Sequence, residues 1–316
     1  MDQPAARLTT HLASLGLAGK LPSAWALVPA GVLAAAAALT ATVIAASGLE
    51  VKLSEFAPFV ALAVGMGLVT AYAHFRKMEP RFAHAAAIVA AGTLSLLFCG
   101  LISNVGLRLR APTIDAALAR MDEIIGWDVS VAVPAFTAPP WLIDSLAIAY
   151  NLSGPVAAGC IVLTLLAGRT RKAWELFNTT LMTMQAIAAI SIMAPARGAM
   201  AHFDLLYLQG NGLPKGAGIY HLAAFDHLHA GTDPRFGIAD MSGLVTFPSF
   251  HTVLGLLLAQ ALAETRFAWL GVAASTIVIV STIPIGGHYV TDILAGTLIW
   301  LIAAVIARRI SSPSSS

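Results

Sequence analysis

Two short stretches hold the residues best equipped for nucleophilic and proton-transfer chemistry. "VTFPSFHTV" (245–253) sets Ser249 and His251 at the mouth of an apolar run, and "STIPIGGHYVTDILAG" (281–296) sets His288 four residues before Asp292. On a helix that spacing puts ring and carboxylate on one face, where the carboxylate fixes the tautomer and supports positive charge on the imidazole. An ionisable pair is expensive in so apolar a setting and points to function, the alternative being a buried pair that fastens the last helix to a neighbour. Pro248-Ser249 ahead of apolar sequence reads as a helix entry, where free backbone N–H groups and the positive end of the dipole favour an anion. Ser249 is thus an N-cap, a phosphate ligand, or both. Gly286 and Gly287 would let the opposite backbone approach the same anion. Two histidines, one held by a carboxylate and one free, suit a nucleophile and a general acid working in turn.

The elements that carry these residues are apolar. The 316 residues are 58% hydrophobic and 11% charged, with a net charge of +2, well below the roughly 25% charged residues of a soluble domain. This composition predicts an integral membrane protein of the all-α class. Apolar runs fall near 22–47, 56–74, 83–105, 142–168, 176–194, 250–264, 267–285 and 289–307, which predicts a bundle of about eight transmembrane helices. The first run is too long for a signal-peptide core and reads as a retained span. With both termini cytoplasmic, the inner loops hold Arg7, Lys20, Arg76, Lys77, Arg81, Arg169, Arg171, Lys172, Arg266, Arg308 and Arg309, whereas the first outer loop offers only Lys52. That bias predicts an N-in, C-in chain with segments 106–141 and 195–249 and the turn at 286–288 outside. Cys99 and Cys160 sit within apolar runs and read as core residues, and the dispersed charge gives no nucleic-acid footprint.

Within 106–141, "APTIDAALARMDEIIGWDV" spaces Ile114, Ala117, Leu118, Met121, Ile124 and Ile125 as one apolar helix face, with Asp115, Arg120, Asp122 and Glu123 elsewhere on the wheel. It predicts one interfacial helix, starting at Pro112-Thr113 and stopping at Gly126. Segment 195–249 is the longest polar stretch and is expected to act as a lid or binding element. Its "HLAAFDHLH" admits zinc ligation by Asp226, His227 and His229, but the spacing matches no strong zinc signature. The domain reading is a single membrane domain over 1–316, with a catalytic core at 83–308, an outer-face loop at 195–249 and a disordered tail at 311–316.

"PSFH" followed by "GGHYVTD" resembles the Pro-Ser-x-His and His-x3-Asp motifs of the phosphatidic acid phosphatase type 2 superfamily, and "HYVTDILAG" is similar to its inositol phosphorylceramide and sphingomyelin synthase branch. "RLRAPTIDAALARMDEIIGWDV" and "VTFPSFHT" also resemble bacterial inositolphosphotransferase-like members, so the likeness covers roughly 108–308. It implies that His288 attacks a phosphoryl group, Asp292 stabilises the imidazolium, and His251 protonates the departing alcohol and then activates the acceptor. A phosphohistidine intermediate follows, with no metal or other cofactor. The substrate would be a phospholipid, or a polyprenyl or sphingolipid phosphate, met at the outer face of a bacterial inner membrane, with water or an alcohol as acceptor. The chain departs from the superfamily's Lys-x6-Arg-Pro motif: in "ISIMAPARGAM" Ile190 stands at the lysine position and Gly198 follows Arg197. Its last motif opens Ser281-Thr282 where Ser-Arg is usual. Arg197 is then the leading phosphate clamp, with Lys215 and Arg235 as substitutes. A different class of function, a transporter relaying protons through His288 and Asp292, conflicts with the clustering of ionisable residues at one face.

Overall fold

In hydrocarbon each backbone group must find its partner within its own segment, so the apolar runs form helices. The computed structural model describes residues 24–137, 140–231 and 233–311. Helices α1 (Ala24–Ser47), α2 (Ala57–Phe75) and α3 (Pro80–Gly106) are followed by two short ones, α4 (Asp115–Ile124) and α5 (Val129–Phe136). Long helices α6 (Pro140–Leu166) and α7 (Thr170–Met193) come next. The single turn α8 (Ala199–His202) and helix α9 (Leu222–Ala230) lie in the long polar segment. Helices α10 (Phe250–Leu262), α11 (Ala268–Ser281) and α12 (Val290–Ser311) complete an all-α bundle. Two-residue strands β1 (Glu50–Val51) and β2 (Arg235–Phe236) pair in parallel and tie the first loop to the long segment. The predicted tail lies beyond Ser311, outside the described residues, except for Ser311 itself, which ends α12 and is buried.

Each of the eight apolar runs carries a helix over its described residues, but among those residues six helices are long and apolar enough to cross a membrane. The exceptions are α10 and α11, of 13 and 14 residues, each about 20 Å long against a hydrocarbon core of about 30 Å. They form a hairpin whose backbones approach closely: a Cβ on Gly255 would sit 3.1 Å from the Ser275 carbonyl, and one on Gly271 would sit 3.0 Å from that of Leu258. Small residues at such crossings are what lets apolar helices pack tightly. The hairpin leaves and returns at the same end of the bundle. Arg169, Lys172 and Glu264 meet at the opposite end, where Arg169 pairs with Glu264 at 2.9 Å and Lys172 with Glu175 at 2.8 Å.

The segment 106–141 differs from its prediction in two ways. It forms two helices, because Gly126 takes a left-handed φ of +76° and Asp128 then caps a new start by accepting the Ser130 N–H at 2.8 Å. The second difference is that two of its charged residues are buried, while most of the apolar stripe is exposed, Leu118 excepted. Ile124 is 73% exposed, and Met121 and Ile125 are also exposed, while Asp115 and Asp122 are buried. A lipid-facing surface tolerates the aliphatic stripe, and the carboxylates turn inward to backbone donors that would otherwise go unpaired.

Candidate active site

The site is assembled from three helix starts that meet at one end of the bundle. At the first, α12 begins directly after a tight turn in which the Gly287 N–H donates to the Ile283 carbonyl and the His288 N–H to that of Thr282, both at 3.2 Å. This places His288 and Asp292 one helical turn apart, with Nδ1 of the ring 3.0 Å from Oδ2 of the carboxylate. The same Oδ2 accepts the Tyr289 N–H at 3.0 Å. With Nδ1–H donating to the carboxylate, Nε2 carries the ring's free lone pair. Burial pushes the His288 pKa down to about 4, only partly offset by the Thr246 carbonyl beside the ring. A ring neutral at physiological pH is the form a nucleophile needs.

The second start is α10. Ser249 caps it, its Oγ accepting the Thr252 N–H at 3.3 Å, so the N-cap reading holds. Its backbone N–H donates to the Asp292 carbonyl at 3.1 Å, and a Cβ on Gly296 would sit only 2.5 Å from the Ser249 oxygen. That close seam brings His251 beside His288. His251 stacks on Tyr150 of α6, with centroids 3.7 Å apart and planes at 16°, and the Tyr150 hydroxyl lies 3.2 Å from that of Tyr220. His251, Tyr150, Tyr220 and Lys215 line one cavity of about 410 Å³.

The third start is α4, whose two buried carboxylates hold the others in place. Asp122 accepts the Val290 and Thr291 N–H groups at 2.9 and 2.8 Å and the Thr291 hydroxyl at 2.7 Å, so the first turn of α12 is capped from another helix. Asp115 accepts the Arg197 and Gly198 N–H groups at 3.0 and 2.9 Å and the Tyr289 hydroxyl at 3.2 Å. Neither carboxylate stands out as a site residue in the sequence, although a seven-residue spacing puts both on one helix face.

The phosphate-binding candidates separate. The Arg197 guanidinium makes two bonds to Asp226 on α9, at 3.0 and 2.7 Å, and that partner raises its pKa. What Arg197 presents inward is its backbone, and its carbonyl meets His221 Nε2 at 2.9 Å. Arg235 sits on β2 beside Asp233, and Lys215 alone of the three basic candidates lines the cavity of His251. Gly286 and Gly287 are both required by protein packing. A Cβ on Gly286 would lie 2.6 Å from the His288 ring, and one on Gly287, where φ is +71°, would lie 2.7 Å from the Gly218 carbonyl. The Gly218 N–H in turn donates to the Ile285 carbonyl at 2.6 Å, so segment 216–221 is bound to the turn before His288.

His221, passed over in the sequence as one of several loop histidines, is 1% exposed. Since a carbonyl only accepts, its Nε2 carries the proton, and its Nδ1 has no partner among the described residues. Burial lowers its pKa. As for zinc, Asp226 is committed to Arg197 and His229 Nε2 bonds the Ala111 carbonyl at 3.0 Å. No three His, Cys, Asp or Glu side chains among the described residues are grouped to share an ion.

Comparisons with curated proteins and with solved structures return no match. Residues 116–306, more than half of the chain, match a family model that begins one residue into α4 and ends within α12, so the starts of α10 and α12 both fall within it. The chain therefore belongs to the PAP2 superfamily.

Proposed function

We propose that this membrane protein is a lipid phosphatase or phosphotransferase acting through a phosphohistidine on His288 at the outer membrane face. The observation that carries the reading is the buried Nδ1 to Oδ2 contact of 3.0 Å, set against the capped start of α10 and next to His251. The Nε2 lone pair of His288 attacks phosphorus, the bond to the leaving oxygen breaks, and His251 gives that oxygen its proton. Asp292 supports the imidazolium that forms. His251 then takes a proton from water or an alcohol, which attacks phosphorus and releases His288. The N–H groups that a helix start leaves without intrahelical partners, here in the first turn of α10, bind the non-bridging oxygens together with the Ser249 hydroxyl, and Lys215 on the cavity wall supplies the cation. Head-group transfer of the inositolphosphotransferase kind follows where a lipid or polyol alcohol takes the place of water. The substrate class is a phospholipid, or a polyprenyl or sphingolipid phosphate.

The test is to quench the purified protein during turnover of a phosphate-labelled lipid and look for acid-labile, base-stable label on the peptide containing His288. Label on another residue, or turnover with no labelled protein under any quench, would remove the phosphohistidine.

A further inference from the structure

A second cavity, of about 430 Å³, lies between α3, α6, α7 and α10. It meets the polar cavity of His251 and Lys215 at Gly154, Pro155 and Leu254, which line both. Its rim residues Val89, Leu96 and Val162 are exposed on the outside of the bundle, so it opens sideways toward lipid. The walls are dry in character. Ser95 and Thr180 are the polar residues among them, and both hydroxyls are engaged, one with Gln185 and the other with the carbonyl of Leu176.

Two of the residues lining it are glycines that packing does not require. A Cβ on Gly92 would meet only Phe177, at an ordinary 3.6 Å, and one on Gly154 only Leu254, at 4.0 Å. By contrast, a side chain at Gly100 or Gly106, farther along α3, would run into Met241 or Ile192. Glycine in a helix interior weakens the helix relative to alanine, so Gly92 and Gly154 keep open a space at some expense to the fold. Along α6 the space runs from Gly154 to Val162, about 12 Å at the helical rise per residue.

We infer that this cleft receives a hydrocarbon chain of the substrate, with Gly92 and Gly154 setting how much chain it admits. The occupant follows from continuity: the polar end offers a cation and an imidazole, the other end offers only carbon, and the passage between them is a shared wall. The inference rests on the catalytic reading above for the identity of the polar head. It makes the enzyme selective for chain length at a place remote from the phosphate.

The test compares the purified wild type with Gly92→Leu and with Gly159→Leu, a control on α6 where an added Cβ meets nothing within 4 Å. Hexadecyl phosphate and butyl phosphate serve as substrates of one head group and two chain lengths. Filling the cleft should raise KM for the long ester about tenfold or more, since several buried methylenes lose their place. It should leave kcat/KM for the short ester unchanged, and Gly159→Leu should change neither. Equal effects of Gly92→Leu on both esters, or no effect on either, would overturn the cleft. A phosphatidic acid carrying a diazirine in its tail, in nanodiscs, gives a readout independent of turnover. Crosslinks should concentrate at 88–96 and 154–162 and disappear in Gly92→Leu, whereas crosslinks spread evenly over the lipid-facing helices would refute the proposal. If crosslinks concentrate there but the wild type cleaves neither ester, the cleft stands and the catalytic reading falls.

Discussion

His288 holds its place through one carboxylate oxygen and loses its charge to burial. His288→Ala should therefore abolish turnover while the protein still elutes as a folded species in detergent. Asp292→Asn should cost about 10³- to 10⁴-fold in kcat, because an amide can favour the wrong tautomer and cannot stabilise the imidazolium. The sign of the pH dependence follows from the depressed pKa. The neutral ring survives to lower pH than a free histidine, so the acid limb of kcat/KM assigned to His288 should have its midpoint below about 6.5. A midpoint above that value would mean that His288 is more hydrated than its 2% exposure allows. His288, Asp292 and His251 stood out in the sequence because ionisable types at short spacings beside apolar runs form a local pattern. His221 did not: its chemistry depends on a carbonyl 24 residues away meeting one ring nitrogen, and no local pattern encodes that.

At the scale of elements, α4 works as a clamp. Asp122 satisfies three donors at the first turn of α12, so Asp122→Ala leaves buried N–H groups unpaired at about 1–3 kcal/mol each. It should lower the thermal midpoint in detergent and reduce kcat at temperatures where the protein is still folded. Glu123→Ala on the exposed face, where Glu123 pairs with Arg120, should shift the midpoint little. Equal shifts for the two variants would show that the clamp is not structural. Gly287→Ala meets backbone at Gly218 in a left-handed conformation, and neither can yield cheaply, so activity should fall steeply. The sequence predicted a helix in the α4 region and its apolar stripe, but not that its two aspartates would be buried. Periodicity finds an apolar stripe and leaves its destination open, since in a membrane protein that stripe can face lipid while the carboxylates face the protein.

For the whole molecule, Arg169, Lys172 and Glu264 converge at one end of the bundle, and the site segments meet at the other. Which end faces outward is tested by Asn211→Cys, at an exposed position in the long segment. It should react with an impermeant maleimide in intact cells, and labelling only after lysis would reverse the topology. Activity should also withstand exhaustive chelation. Loss of turnover restored by zinc would move the chemistry to Asp226, His227 and His229.

The sequence by itself determined the apolar setting and the helical class, and it singled out the residues proposed to react. Hydropathy depends on composition over some twenty residues, and the His288–Asp292 pair on a four-residue spacing, so both are local. Only the tertiary structure decided that Arg197 spends its guanidinium on Asp226, that Gly287 opens room for Gly218, and that two aspartates on α4 hold the start of α12. It also decided that α10 and α11 stop short of a full span and that a dry cleft adjoins the histidines. Each of these is a contact between segments distant in the chain, fixed by where a donor, a void or a charge finds its complement once the helices pack.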